Sequence, residues 1–505
     1  MLWLPSLTLV AMVTTLAALV YWLLWRWRNR RLLELAAKVP GPPALPVLGN
    51  ALLFMASPNE QLKLIGDLTK QYGEYMRFWL GPDLNIIVQN PEDIKLLLTS
   101  NKVNQKGPVY EHMKSVIGSG ILTGDKVWRS HRKIVTPSYN KKSVEHFARV
   151  FNMEAAGLVQ TLSKKDPNKT FNIYWDIVDC TTQCVCQTLM GLSKDDSRNL
   201  KYLDEVVRKT QSMYAAFFAK MTRWWLQIPL IFWLTGEKKK TDRYTKLIHN
   251  LSAEIYEKRR RALARSEGAA EHARGIVDRL ILSGELTELQ IRQETFTLFT
   301  TSQEASAKIA SAVLLFLAHL PEWQDKVYNE IQDFIGPDDE PITENQLHRL
   351  QHLEMVYKEV LRYLSIAALV QRTVQEEITI DSGRITLPVG TSLAIPIHIL
   401  HRDPKYWDEP NKVKPERFLP ENSKTRNPNA FVPFSLGPMD CLGRVYATVM
   451  IKTIVIRALR HLKFEADGRL EDLDLHVAIS VKFANGYNLR VAPRKPKSTR
   501  AHTVA

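Results

Sequence analysis

Cys441 stands between two glycines in the run Phe434-Ser435-Leu436-Gly437-Pro438-Met439-Asp440-Cys441-Leu442-Gly443, just ahead of an apolar segment able to continue as a helix to about Leu462. A sulfur in that position meets backbone N–H groups and the positive end of the helix dipole, which lower a thiol pKa and favour metal ligation. Gly437 allows a tight bulge, and Gly443 lets a flat ring lie close to the backbone. Zinc requires three or four protein ligands at set spacing, and no such set is visible. A lone cysteine ligand suits haem, whose macrocycle supplies the other donors. The competing reading is a buried structural cysteine beside a turn.

Other stretches bear on that choice. Lys358-Glu359-Val360-Leu361-Arg362 sets a carboxylate and a guanidinium three residues apart on one helix face. His401-Arg402-Asp403-Pro404-Lys405-Tyr406-Trp407 and Lys414-Pro415-Glu416-Arg417-Phe418 follow downstream, and Trp128-Arg129-Ser130-His131-Arg132 lies far upstream. Its i, i+4 spacing brings an indole N–H and a guanidinium to one face. In this order the stretches resemble the motifs of the cytochrome P-450 family: Trp-x-x-x-Arg, Glu-x-x-Arg, Pro-Glu-Arg-Phe and the loop Phe-x-x-Gly-x-Arg-x-Cys-x-Gly. Residues 418–423 and 427–434 are similar to its family-four group of animal enzymes, many of them lipid hydroxylases. The resemblance runs from the prolines near residue 40 to about Arg494.

That resemblance implies a mainly α (α+β) fold, a helical body with a small β-rich lobe. It implies haem with Cys441 as axial thiolate and metal ligand, and Phe434, Gly437 and Gly443 forming the loop around it. Trp128, Arg132 and Arg372 would hold the haem propionates. Glu359, Arg362 and Arg417 would make a buried ion triad supporting the loop. One departure is plain: the family's loop arginine, a propionate partner, is Met439 here.

The elements that must position these residues include one long helix. Between Gly284 and Pro321 there are 36 residues without glycine or proline, and Thr287-x-x-Gln290 reads as a capping box. In the family this helix crosses the haem and carries Ala/Gly-Gly-x-Asp/Glu-Thr-Thr/Ser. The aligned residues are Thr301-Ser302-Gln303-Glu304-Ala305-Ser306, so the glycine is Ser302 and the threonine is Ala305. The family threonine holds water that delivers protons to bound dioxygen, a relay that alanine cannot support. The resemblance therefore assigns catalysis to Glu304, with Ser306, Thr301 or a substrate hydroxyl standing in. Thr301 also occupies the place where many family-four members carry the glutamate that esterifies haem, which predicts haem bound without a covalent link.

The first 25 residues contain no charge and are followed by Arg26, Arg28, Arg30 and Arg31. At about 1.5 Å per residue that run spans a bilayer, and the arginines after it place the body on the cytosolic side. The expected organisation is a transmembrane anchor over 1–25, a basic, proline-rich linker over 26–49, a haem-binding domain over 50–493 and a basic tail over 494–505, on the endoplasmic reticulum. Cys180, Cys184 and Cys186 share an apolar helical stretch and are expected in the core; this cysteine usage fits a reducing compartment. The net charge of +15 is scattered and accompanies no nucleic-acid motif, so it suits anionic lipid and an acidic redox partner. The greasy run from Phe217 to Leu234 is read equally well as buried helix or as a second membrane contact. Pocket residues are expected near 109–121, 365–370 and 481–487, apolar enough for a lipophilic substrate.

Three functions remain open on this reading. The first is a monooxygenase using dioxygen and electrons from NADPH through a reductase. The second is an isomerase or dehydratase of preformed hydroperoxides, for which Ala305 is no handicap. The third is a diverged relative without catalysis.

Overall fold

The computed structural model describes residues 4–57, 60–265, 275–336 and 341–494. Helix α1 (Leu4–Arg28) forms from the uncharged N-terminal run, and α2 (Arg30–Ala37) continues it after Asn29. Many side chains of α1, among them Met12, Leu16, Leu24 and Trp27, are exposed. Trp25 instead packs edge-on against Trp79 with ring centroids 5.8 Å apart. Among the described residues no single helix is long and apolar enough to cross a membrane. The proline-rich segment after α2 is tied to the sheet by Arg77 N–H donating to Pro40 O at 2.8 Å. A side chain at Gly41 would clash with Arg77 O, which requires glycine at this crossing.

Short β-branched and aromatic runs build the lobe. Strands β1 (Tyr75–Leu80), β2 (Asp83–Val88), β3 (Gln105–Lys106), β4 (Val370–Thr373) and β5 (Ser392–Ile395) form one sheet in the order β1-β2-β5-β4-β3. Only the β2–β5 pairing is parallel. The β3–β4 register sets Lys106 opposite Arg372. Expected strands at 75–80 and 378–380 are present with those limits, and 85–88 lies within β2. The segment expected as one strand from 482 to 491 is two elements, Val481–Phe483 and Asn488–Pro493, parted by the turn at Gly486.

The body is helical: α3 (Trp128–Val135), α4 (Lys141–Leu162), α5 (Tyr174–Thr188), α6 (Leu203–Thr222), α7 (Glu237–Ala264), α8 (Glu288–His319), α9 (Gln351–Tyr363) and α10 (Arg444–His461). The capping box opens α8 as the sequence predicts, with Gln290 N–H donating to Thr287 Oγ1 at 3.3 Å and Thr287 N–H to Gln290 Oε1 at 2.9 Å. Between Glu294 and Ala318 almost every residue of α8 is buried, because α5, α7, α9 and α10 all pack on it. A hairpin of β6 (Leu475–Val477) and β7 (Val481–Phe483) closes over its flank. Cys180, Cys184 and Cys186 are buried in α5. The greasy run divides: Phe217 and Leu226 are buried, whereas Ile228, Leu230, Trp233 and Leu234 are exposed. Apart from Arg494, the expected basic tail lies outside the described residues.

Candidate active site around Cys441

The cysteine loop is held by its backbone. Gly437 has φ +76°, and a Cβ there would lie 2.0 Å from Leu98 O, so only glycine fits. Asp440 N–H donates to Gly437 O at 3.1 Å and Cys441 N–H to Phe434 O at 2.9 Å. This delivers the thiol just ahead of α10. Its surface is accessible although protein surrounds it, the combination expected of a side chain facing an internal cleft. The expected depression of the thiol pKa is overturned. Burial pushes it up, and the backbone N–H of Gly443, Arg132 and Lys106 pull the other way without prevailing. A cation on the sulfur is what would hold the thiolate.

Cations converge on the same cleft. From α3, Arg132 donates to Asp440 O at 2.9 Å and pairs with Asp440 Oδ1 at 2.6 Å. Buried Arg372 reaches the carbonyls of Gln371 at 3.1 Å and Met439 at 3.4 Å, with the Tyr110 phenol beside it. Lys106 stacks over the Tyr110 ring at 4.8 Å. Burial, then Arg372 and Arg132, push the Lys106 pKa down to about 7. Like charges facing each other across a strand pair repel. Among the described residues no ion pair joins Lys106 or Arg372 to a carboxylate. A cleft offering a thiol and two cations, Lys106 and Arg372, that lack carboxylate partners fits haem, which would bring iron to the sulfur and propionates to the cations. Trp128 lies buried on α3, one turn before Arg132. Met439 is buried, contributing its carbonyl to Arg372. Lys106 was missed in the sequence because only the strand register brings it to the cleft.

Behind the loop, Glu359 and Arg362 of α9 form two bonds at 2.7 and 2.8 Å, and Arg417 approaches Glu359 at 3.4 Å. Carbonyls of His401, Pro410 and Lys412 take the remaining N–H groups of Arg362, and Lys414 N–H donates to Glu359 Oε1. Buried charge is tolerated when each member is paired and hydrogen-bonded in this way.

Along α8 the exceptions to burial are informative. Within its buried stretch only Thr301, Ser302 and Ala305 are partly exposed, and they share one stripe of the helix. The Tyr139 phenol lies near Ser302, while its ring lies beside Gly443 of the cysteine loop. This stripe therefore faces the cleft. Glu304 and Ser306, to which the sequence assigns proton delivery, are buried off the stripe. The Glu304 carboxylate is taken by Lys308 and Ser480, and Ser306 Oγ meets no partner among the described residues. Both are turned about 100° from Ala305, in opposite senses, and Ser306 is about 140° from Thr301; Glu304, only about 60° from Thr301, is drawn off the stripe by its bonds to Lys308 and Ser480. About two turns before Thr301, Glu294 Oε1 accepts from Ile121 N–H at 2.9 Å and meets His131 Nδ1 at 2.7 Å, pinning the 118–124 loop. No cluster of metal-ligating side chains occurs among the described residues.

A family model described as Cytochrome P450 matches residues 39–482. Cytochrome P450 4c3 of Drosophila melanogaster is 29% identical over 501 residues, covering 94% of this chain and 93% of the relative. Cytochrome P450 4V2 of Homo sapiens is 30% identical over 493 residues, with 93% and 91% covered. Cytochrome P450 4d1 of Drosophila melanogaster is 28% identical over 470 residues, with 88% and 91% covered.

Proposed function

The chain belongs to the cytochrome P450 family of haem-dependent monooxygenases, and from that premise we propose that it is a membrane-anchored enzyme hydroxylating a lipophilic substrate with reductase-supplied electrons. Bound haem supplies the oxidising chemistry, in which dioxygen and two electrons from NADPH yield a hydroxylated product and water. The sulfur of Cys441 would hold the haem iron. Trp128, Arg132 and Arg372, with Lys106, hold the propionates, and Phe434, Gly437 and Gly443 shape the loop. Thr301 in place of an esterifying glutamate leaves the haem non-covalently bound. Thr301, Ser302 and Ala305 form the helix wall facing the substrate. Val481 N–H bonding Ile366 O at 3.0 Å and Val109 N–H bonding Gln371 Oε1 at 3.1 Å bring two of the three pocket segments close to the strand that carries Arg372. Helix α1 anchors the enzyme in the endoplasmic reticulum, with exposed Leu230, Trp233 and Leu234 as a second lipid contact.

The observation that carries this reading is the pair of cations, Arg372 and Lys106, that face the Cys441 cleft without a carboxylate partner among the described residues. Its test is the carbon monoxide difference spectrum of the reduced, membrane-expressed protein. A strongly red-shifted Soret band that Cys441→Ser abolishes is expected, and folded protein without any haem band would overturn the proposal. Carbonate extraction tests the anchor: the full chain stays with the membrane, and release of the full chain would refute it. A second reading, rearrangement of a preformed hydroperoxide, is favoured by Ala305 on the cleft wall. Ala305→Thr raises the coupling of NADPH use to product in a monooxygenase and changes nothing in an enzyme that bypasses dioxygen.

A further inference from the structure

Lysine seldom occupies the core of a helix packed on all sides, since an uncompensated buried ammonium costs several kcal/mol. Lys308 does so, between Ala307 and Ile309, with 2% of its surface exposed. One turn earlier, Glu304 is 3% exposed. The Lys308 ammonium lies against the Glu304 carboxylate and donates to Ser480 Oγ at 2.5 Å; Ser480 Oγ donates in turn to Glu304 Oε1 at 3.1 Å. Ser480 sits in the turn between β6 and β7, and the next residue is bonded to Ile366 O. The carboxylate is thus gripped from its own helix and from the hairpin, beside the stripe of Thr301, Ser302 and Ala305. Other titratable groups facing the pair are Lys482 and His476 of the hairpin, Tyr174 of α5, Tyr214 of α6 and Tyr487. Lys482 donates to Gln211 Oε1 at 2.8 Å, tying the hairpin to α6 as well. One carboxylate therefore serves a neighbourhood with two ammonium groups, and it is not left free to swing into the cleft.

We propose that Lys308 is a positioning residue that withdraws Glu304 from the cleft, leaving proton supply at the helix wall to the hydroxyl groups of Thr301 and Ser302. The functional half of this statement rests on the monooxygenase reading; the placement of the carboxylate does not. In Lys308→Met the buried carboxylate loses its directly paired ammonium, Lys482 remaining tied to Gln211, and is released to turn toward the cleft. In Lys308→Met/Glu304→Gln that carboxylate is gone.

Two measurements on the full chain test the proposal. The first is the melting temperature between about pH 5.5 and about pH 8. An uncompensated buried carboxylate binds its proton more tightly folded than unfolded, so stability is full at low pH and is lost as pH rises. Lys308→Met is expected to show this slope, and wild type and the double variant to lack it. If Lys308→Met does not fold while the double variant does, the pairing is supported equally. Matching pH profiles in all three proteins would overturn the placement. The second is the pH dependence of the split between product and released hydrogen peroxide. A single-proton step is expected in Lys308→Met and in neither other protein. Such a step in wild type, removed by Glu304→Gln alone, would overturn the functional half. A protein without the red-shifted haem band would instead sink the monooxygenase reading, while the melting series still decides where the carboxylate lies.

Discussion

Around Glu359 all five N–H groups of Arg362 find acceptors, two of them carboxylate oxygens; around Arg372 and Lys106 the acceptors are backbone carbonyls and a phenol, and no carboxylate pairs with either among the described residues. Both clusters carry a net positive charge. The first is complete within the chain, so it sets the geometry of the loop whatever else is bound. The second is incomplete, and an incomplete buried cluster is what an anionic ligand would finish.

The sharpest way to break the contrast is Arg362→Leu. It leaves the Glu359 carboxylate with one distant guanidinium in a buried site, and a loss of about 3–5 kcal/mol is expected. Denaturant unfolding would show it, and a variant as stable as wild type would mean the triad is not structural. Arg372→Gln is expected to do the opposite to the two states. The haem-free protein keeps or gains stability, while haem binding weakens by about 1.5–3 kcal/mol for one charged hydrogen bond; haem titration checks the second and melting the first. Met439→Arg restores the family's arginine among three cations. It should lower the stability of the haem-free protein and tighten haem by about tenfold or less, a sign reversal that the same titration would detect.

The smallest effect is one of pH. Lys106 has its pKa depressed to about 7 in the folded chain. The folded haem-free state binds fewer protons than the unfolded one, whose lysines titrate near about 10.4. Its contribution to stability is therefore full above about 10.4 and is lost as pH falls through about 7. Lys106→Met should flatten that window, and bound haem should flatten it too, because a propionate beside the ammonium restores its proton. An unchanged pH slope in Lys106→Met would remove Lys106 from the cluster.

The triad and the cysteine loop were legible because their residues are close in sequence or fall in motifs with fixed spacing. The capping box of α8 was legible for the same reason: Thr287 and Gln290 are local partners. Lys106 was not, since its position depends on a β3–β4 register that joins residues 266 apart. The fate of Glu304 was half legible. Its i, i+4 partner Lys308 stood in the sequence, but such pairs are common on solvated faces, and only the hairpin shows that this one is buried. The thiol pKa was misjudged because desolvation depends on the whole surrounding body, whereas the helix dipole is a local feature.

The edge-on contact of Trp25 with Trp79, together with the Arg31–Glu377 pair at 2.7 Å, has a mechanical corollary. A leash lets its cargo roam; these contacts make the junction a bracket. With α1 in a bilayer as proposed, the tilt of that helix would be passed directly to the sheet lobe, and a thicker or thinner membrane would rock the whole body rather than pay out slack.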